Sequence, residues 1–171
     1  MADAAEATQR NAISVEVSRI HESAIYSAQG QLEAAKFWRG LHWTLGALAA
    51  ALSTAAAVIT FAAAGQVASG VLAVLAAITA ALMTGARPDR LAERAQSSGN
   101  DYTRLRNDVR RLRDIQVPMD ALPELRNALA QLAERESDLN HAADPIPRLA
   151  YLLAKRNIER DGGQRFKVDA A

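Results

Sequence analysis

The sequence has 171 residues, 20 of them Lys or Arg and 19 Asp or Glu, for a formal net charge of +1. A balance so close to neutral makes no bulk electrostatic case for a nucleic-acid partner, and the absence of cysteine removes disulfides, thiol nucleophiles and most zinc sites. Half of the residues are apolar while the mean hydropathy is near zero, so the two kinds must be segregated along the chain. They are: residues 40–86 contain no Asp, Glu, Lys or Arg, and both flanks are densely charged.

The opening MADAAEATQRNAISVEVSRIHESA has no basic region followed by an apolar run, so it does not read as a signal peptide. Ile13, Val17, Ile20, Ala24, Ser27, Gln31, Ala35 and Trp38 recur at helical spacing. They predict one amphipathic helix over 1–40, starting near Ala5 and running into the apolar segment. Its stripe is broken by polar residues and wants a partner helix.

The charge-free segment is too long for one crossing of a hydrocarbon core of about 30 Å, which takes about 20 residues. It fits two crossings, at 41–63 and 67–86, joined by a turn at Ala64-Gly65-Gln66. The first span has Leu41, Leu45, Leu48, Leu52, Val58, Ile59 and Phe61; the second has Val67, Val71, Leu72, Val74, Leu75, Ile78 and Leu82. At roughly −0.3 to −0.6 kcal/mol each, these give on the order of −2 to −4 kcal/mol per span. That suits insertion as a pair better than insertion of either span alone. The alternative is a buried hairpin in a soluble protein, but a chain this short would struggle to cover two helices apolar on all faces. Lys36 and Arg39 precede the first span, Arg87, Arg90 and Arg94 follow the second, and the turn is uncharged. Retention of positive charge on the cytoplasmic side then puts both termini there. Phe37, Trp38 and Trp43 straddle the entry, where amphipathic rings favour the headgroup level. Trp38, Trp43, Lys36, Arg39, Arg87 and Arg90 are thus the expected interface anchors.

Small residues form a seam on each span: Gly46, Ala50, Ser53, Ala57 and Thr60 on the first, and Gly70, Ala73, Ala77, Ala80 and Thr84 on the second. Lipid supplies no hydrophobic drive between helices, so close backbone approach and interhelical hydrogen bonds must. The seams either pack the two spans of one hairpin or, with Ser53 and Thr60, face other protomers or a lumen. With no Asp, Glu, Lys or Arg in either span and His42 only at the entry of the first, nothing resembles a proton relay, voltage sensor or transporter site.

Beyond the hairpin, Pro88 suits the first turn of a new helix. Leu91, Ala95, Ser98, Tyr102, Leu105, Val109 and Leu112 continue it, with an expected interruption at Gly99-Asn100-Asp101 and recapping by Asp101 or Asn100. Arg104, Arg106, Arg110, Arg111 and Arg113 make its opposite face basic; such a face can meet anionic lipid or nucleic acid, but balanced by Asp101, Asp108 and Asp114 it reads first as a solvated face. Val117-Pro118 ends it, and Asp120 is a candidate N-cap for the next helix. There Leu122, Leu125, Leu129, Leu132 and Leu139 form a seam suited to a partner helix. Two prolines mark a loop at 140–147. A last helix, about 147–161, stops at Gly162-Gly163, and 164–171 reads as a flexible tail. The expected fold is thus an all-α membrane protein: a long N-terminal helix (1–40), a two-span transmembrane helical hairpin (41–86) and a C-terminal cytoplasmic helical bundle (87–163).

No chemistry is legible. His21, His42 and His141 fall on separate elements without metal-ligand spacing, no Ser-His-Asp set stands out, and Gly162-Gly163 follows a helix instead of opening one after a strand. We expect no catalytic, cofactor-binding or metal residues, and no enzyme.

The run KFWRGLHWTLG, the Ala-rich hairpin, the stretch DYTRLRNDVRRLRD and the closing PIPRLAYLLAKRNIERDGG together resemble the SLATT proteins. These are bacterial two-span effectors associated with nucleotide-second-messenger synthetases and SLOG-type sensors. Trp38, His42, Gly46 and Tyr151 carry single-residue matches, and the resemblance covers nearly the whole chain. It implies a multi-pass protein of the bacterial inner membrane that assembles, as a homo-oligomer in the bilayer, and perforates it when a separately encoded sensor or nucleotidyltransferase detects phage. Two other readings stand beside it. One is a membrane anchor or scaffold that recruits a cytoplasmic partner through the seam at 122–139; the other is a sensor whose cytoplasmic helices bind a small molecule.

Overall fold

The computed structural model describes residues 2–62 and 65–163, and every regular element among them is helical. Helix α1 runs over Ala2–Phe61 and α2 over Gln66–Ala86. Helix α3 covers Pro88–Arg111 and continues through a π turn at Leu112–Gln116 into one last turn, Val117–Met119. Helices α4, Leu122–Ala142, and α5, Arg148–Glu159, complete the chain. Punctuation explains the order. No proline precedes Pro88, so α1 and α2 are interrupted only near Gly65, whose φ of 149° is open to glycine and rare for other residues. Of the expected turn, Gly65 precedes α2 and Gln66 opens it; Ala64 lies outside the described residues, as does the tail 164–171.

Two compact units result. One joins the described residues up to Ala34 with those from Arg94 onward; the other is Ala35–Glu93. The first is a helical bundle. Its core takes Ile13, Val17, Ile20, Ala24 and Ala28 from α1, Tyr102, Leu105, Val109 and Leu112 from α3 and its π turn, Val117, and Leu125 from α4. The stripe on α1 thus finds its partner helices within the chain. Gln31, also buried, donates from Nε2 to the Asp144 carbonyl at 2.9 Å, and the buried Tyr102 hydroxyl meets Asn140 Oδ1 at 2.7 Å. On α5, Ala150 and Ala154 are buried, while Leu149, Tyr151, Leu152 and Leu153 stay exposed.

Three local expectations are corrected. Helix α3 does not break at Gly99-Asn100-Asp101. A Cβ on Gly99 would sit 2.9 Å from the Leu32 side chain, so this glycine lets α1 and α3 approach closely instead of ending a helix. Asp120 is not the N-cap of α4. Ala121 holds that place without a side-chain cap, and Pro123 lies in the first turn, where a missing N–H costs nothing. The last helix spans Arg148–Glu159 instead of starting at Pro147. The helix carrying Pro118 ends with a π turn because proline offers no N–H to the fourth residue back and crowds its carbonyl. The Arg10 guanidinium reaches over from α1 to the carbonyls of Val117 and Asp120, satisfying the acceptors that a helix end leaves open.

Candidate functional site

The unit Ala35–Glu93 is the candidate site. Helix α2 has 21 residues, about 32 Å at the usual rise, close to the thickness of a hydrocarbon core of about 30 Å. The two apolar helices are long and apolar enough to cross a membrane, and only 6% and 11% of their most apolar windows are buried. A core helix of a soluble protein can be as long and as apolar, but it is mostly buried. Here Val58, Phe61, Val67, Val71, Val74, Leu75, Ile78 and Leu82 all lie exposed, whereas a soluble protein buries most side chains of this kind.

The turned-in rows are specific. On α1 they are Leu45, Ala49, Leu52, Ala56 and Ile59; on α2, Ser69, Leu72, Ala76, Thr79 and Met83. Ala56, Ala76 and Thr79 are buried and the rest half-buried. Spacings of three and four on both helices suit ridges-into-grooves packing; large residues alternate with Ala on α1, while on α2 Leu72 and Met83 flank the small pair Ala76 and Thr79. Met83 Sδ lies 3.8 Å from the place a Cβ on Gly46 would take. Thr79 donates its hydroxyl to the Leu75 carbonyl at 2.8 Å, so burial leaves it satisfied within its own helix. Thr60 and Thr84 do the same to Ala56 and Ala80 at 2.8 and 2.9 Å.

The two small-residue seams expected from the sequence are therefore not the rows through which this hairpin packs. Ala50, Ser53, Ala57 and Thr60 on α1, and Gly70, Ala73, Ala77, Ala80 and Thr84 on α2, are exposed; Gly46 alone is half-buried. The contact rows lie one residue along from these seams, about 100° around each helix. Sequence spacing marked both sets, and nothing in it ranked Ala56 above Ala57 as the inward residue. Among the expected anchors, Lys36, Arg39, Trp43, Arg87 and Arg90 are exposed, Trp43 at 72%, and Trp38 is half-buried with its ring 5.0 Å from that of Phe37. Arg87 alone forms the corner from α2 to α3, with φ 46° and ψ 54°, a left-handed conformation that costs a non-glycine residue about 1 kcal/mol or more.

In the bundle, the leucine seam of α4 faces inward. Leu125 is fully buried, and Leu122, Leu129, Leu132 and Leu139 pack against the core. The partner expected for it is this chain's own α1 and α3. Three residues of the basic face pair with acids: Arg104 with Asp101 at 3.4 Å, Arg111 with Asp108 at 2.7 Å and Arg113 with Asp114 at 2.7 Å, and Arg135 of α4 reaches Asp108 at 2.7 Å as well. Arg113 Nη1 also lies 3.4 Å from His21 Nδ1. Burial, then the charge of Arg113, holds His21 below its ordinary pKa; the hydrogen bond from Arg113 holds Asp114 below the usual carboxylate range. Among the described residues no group of three or more His, Asp or Glu is placed to hold a metal ion.

No protein-family model, curated protein or solved structure matches this chain.

Proposed function

We propose that the chain is a membrane effector of a bacterial conflict system. It inserts the hairpin in the inner membrane with both termini cytoplasmic and associates with further copies through its outward small-residue seams. It disrupts the membrane when a separate sensor activates it. The observation that carries this reading is the exposure of Ala50, Ser53, Ala57 and Thr60 together with Gly70, Ala73, Ala77, Ala80 and Thr84 on an otherwise apolar hairpin. Small residues already used inside the hairpin would have nothing left to offer another copy, whereas these are free for close helix–helix approach in lipid. The SLATT resemblance supports the conflict-system role and a trigger encoded elsewhere.

A second reading, a scaffold that recruits a cytoplasmic partner, draws on the exposed strip Leu149, Tyr151, Leu152 and Leu153 of α5, since the α4 seam is occupied within the chain. Membrane leakage on induced expression separates the two. A potential-sensitive dye and an impermeant DNA stain should report depolarisation by the wild type and none by Ser53→Leu, both proteins being inserted. A silent wild type, inserted and supplied with its neighbouring genes, would leave the scaffold reading.

A further inference from the structure

Within the unit Ala35–Glu93, a cavity of about 250 Å³ is lined by Arg39, His42, Trp43, Asp89, Ala92 and Glu93. Sequence spacing set these residues apart by half a hundred positions; the hairpin brings its entry and exit together. The cavity holds one cation and two carboxylates, and Arg39, Asp89 and Glu93 make no ion pair or side-chain hydrogen bond with one another or with other described residues. Facing charges of both signs left unpaired around one cavity suit a ligand that brings both signs itself. Trp43, largely exposed, adds an aromatic face that attracts an ammonium group. The buried Nδ1 of His42 has no partner, which favours the tautomer with its proton on Nε2, the nitrogen left to donate to a bound oxygen.

We propose that this cavity binds phosphoethanolamine, as the headgroup of a phospholipid or as the free zwitterion. Arg39, helped by His42, takes the phosphate in charge-assisted hydrogen bonds. Asp89 and Glu93 accept from the ammonium, which lies against Trp43. The lipid form rests on the proposed membrane insertion, because the cavity flanks both ends of the charge-free segment and so falls at headgroup level. The free form does not. A purely anionic headgroup meets two uncompensated carboxylates here and is disfavoured.

The test uses full-length protein in detergent carrying Trp38→Phe, so that Trp43 is the one fluorescent indole. It is titrated with O-phosphoethanolamine, with short-chain phosphatidylethanolamine and with short-chain phosphatidylglycerol. We expect a saturable change in Trp43 emission with phosphatidylethanolamine, at an affinity at least about tenfold better than with phosphatidylglycerol, and a loss of about tenfold on Arg39→Ala or on Asp89→Asn combined with Glu93→Gln. A matching response to O-phosphoethanolamine assigns the site to the free zwitterion as well; a response to the lipid alone assigns it to the headgroup. Equal response to phosphatidylglycerol, no response to either ethanolamine compound, or unchanged binding in both variants overturns the proposal. Alkaline carbonate extraction of expressing cells measures insertion independently, so a failure of the membrane reading is seen apart from a failure of this site.

Discussion

Leu125 contributes to the bundle through complete burial beneath α1 and α3, and Leu125→Ala should cost about 2–5 kcal/mol. The loss is measurable as a lower midpoint in chemical unfolding of the detergent-solubilised protein. Its cause would be the folding of this chain, not the loss of an external partner. Two glycines make a sharper pair. A Cβ on Gly99 would press on Leu32 at 2.9 Å, whereas one on Gly70 would meet nothing within 4 Å. Gly99→Ala should therefore destabilise, while Gly70→Ala should be neutral or stabilising by up to about 1 kcal/mol from helix propensity, both read from thermal unfolding. Gly99 is a case where the sequence misleads: glycine followed by Asn and Asp has the composition of a break, and only the neighbouring helix reveals the close approach. Leucine spacing on α4, by contrast, declared its inward face unaided.

At the level of elements, the pairing of α1 with the π-turn end of α3 makes the bundle acid-sensitive. His21 is held below its ordinary value of 6.5 by burial and then by Arg113, with Arg106 and Arg110 adding to it and Asp114 opposing. The unfolded chain thus takes up this proton before the folded one does. The associated stability is whole above about pH 6.5 and is lost as pH falls from there through the folded-state value. Asp114 adds a second loss at lower pH, since its folded-state value lies below the ordinary 3.8. Unfolding midpoints should fall between pH 7.5 and 5.5, and His21→Gln should flatten that part of the profile. In the hairpin, position relative to the contact row decides the outcome. Ala76 is buried and Ala77 exposed. Ala76→Leu should overpack the pair by about 1–3 kcal/mol and lower the yield of inserted protein. Ala77→Leu should leave insertion intact and weaken cross-linking between copies.

For the whole molecule, the distribution of Lys and Arg gives a topology that reporter fusions can check. A phosphatase active only outside the cytoplasm should stay silent at either terminus, and a fluorescent protein that matures in the cytoplasm should be bright at both. Activity of the phosphatase at one terminus alone would mean that a single helix crosses.

The amino-acid sequence by itself determined that the chain is helical, that two charge-free helical stretches follow one another around Gly65, and that α1, α3 and α4 each carry an apolar stripe. These are properties of period, of composition and of proline and glycine placement, and they need no knowledge of neighbours. The tertiary structure decided what each stripe meets. The α1 and α4 stripes close on α3 in one core, and the hairpin packs through Leu52, Ala56, Leu72, Ala76 and Thr79, leaving the small-residue seams outside. Arg39, Trp43, Asp89 and Glu93 converge on one cavity. The physical reason is that helical periodicity fixes which residues share a face but not which face is turned inward. That choice depends on how large and small side chains interdigitate across two helices, a property of the pair that neither helix carries alone.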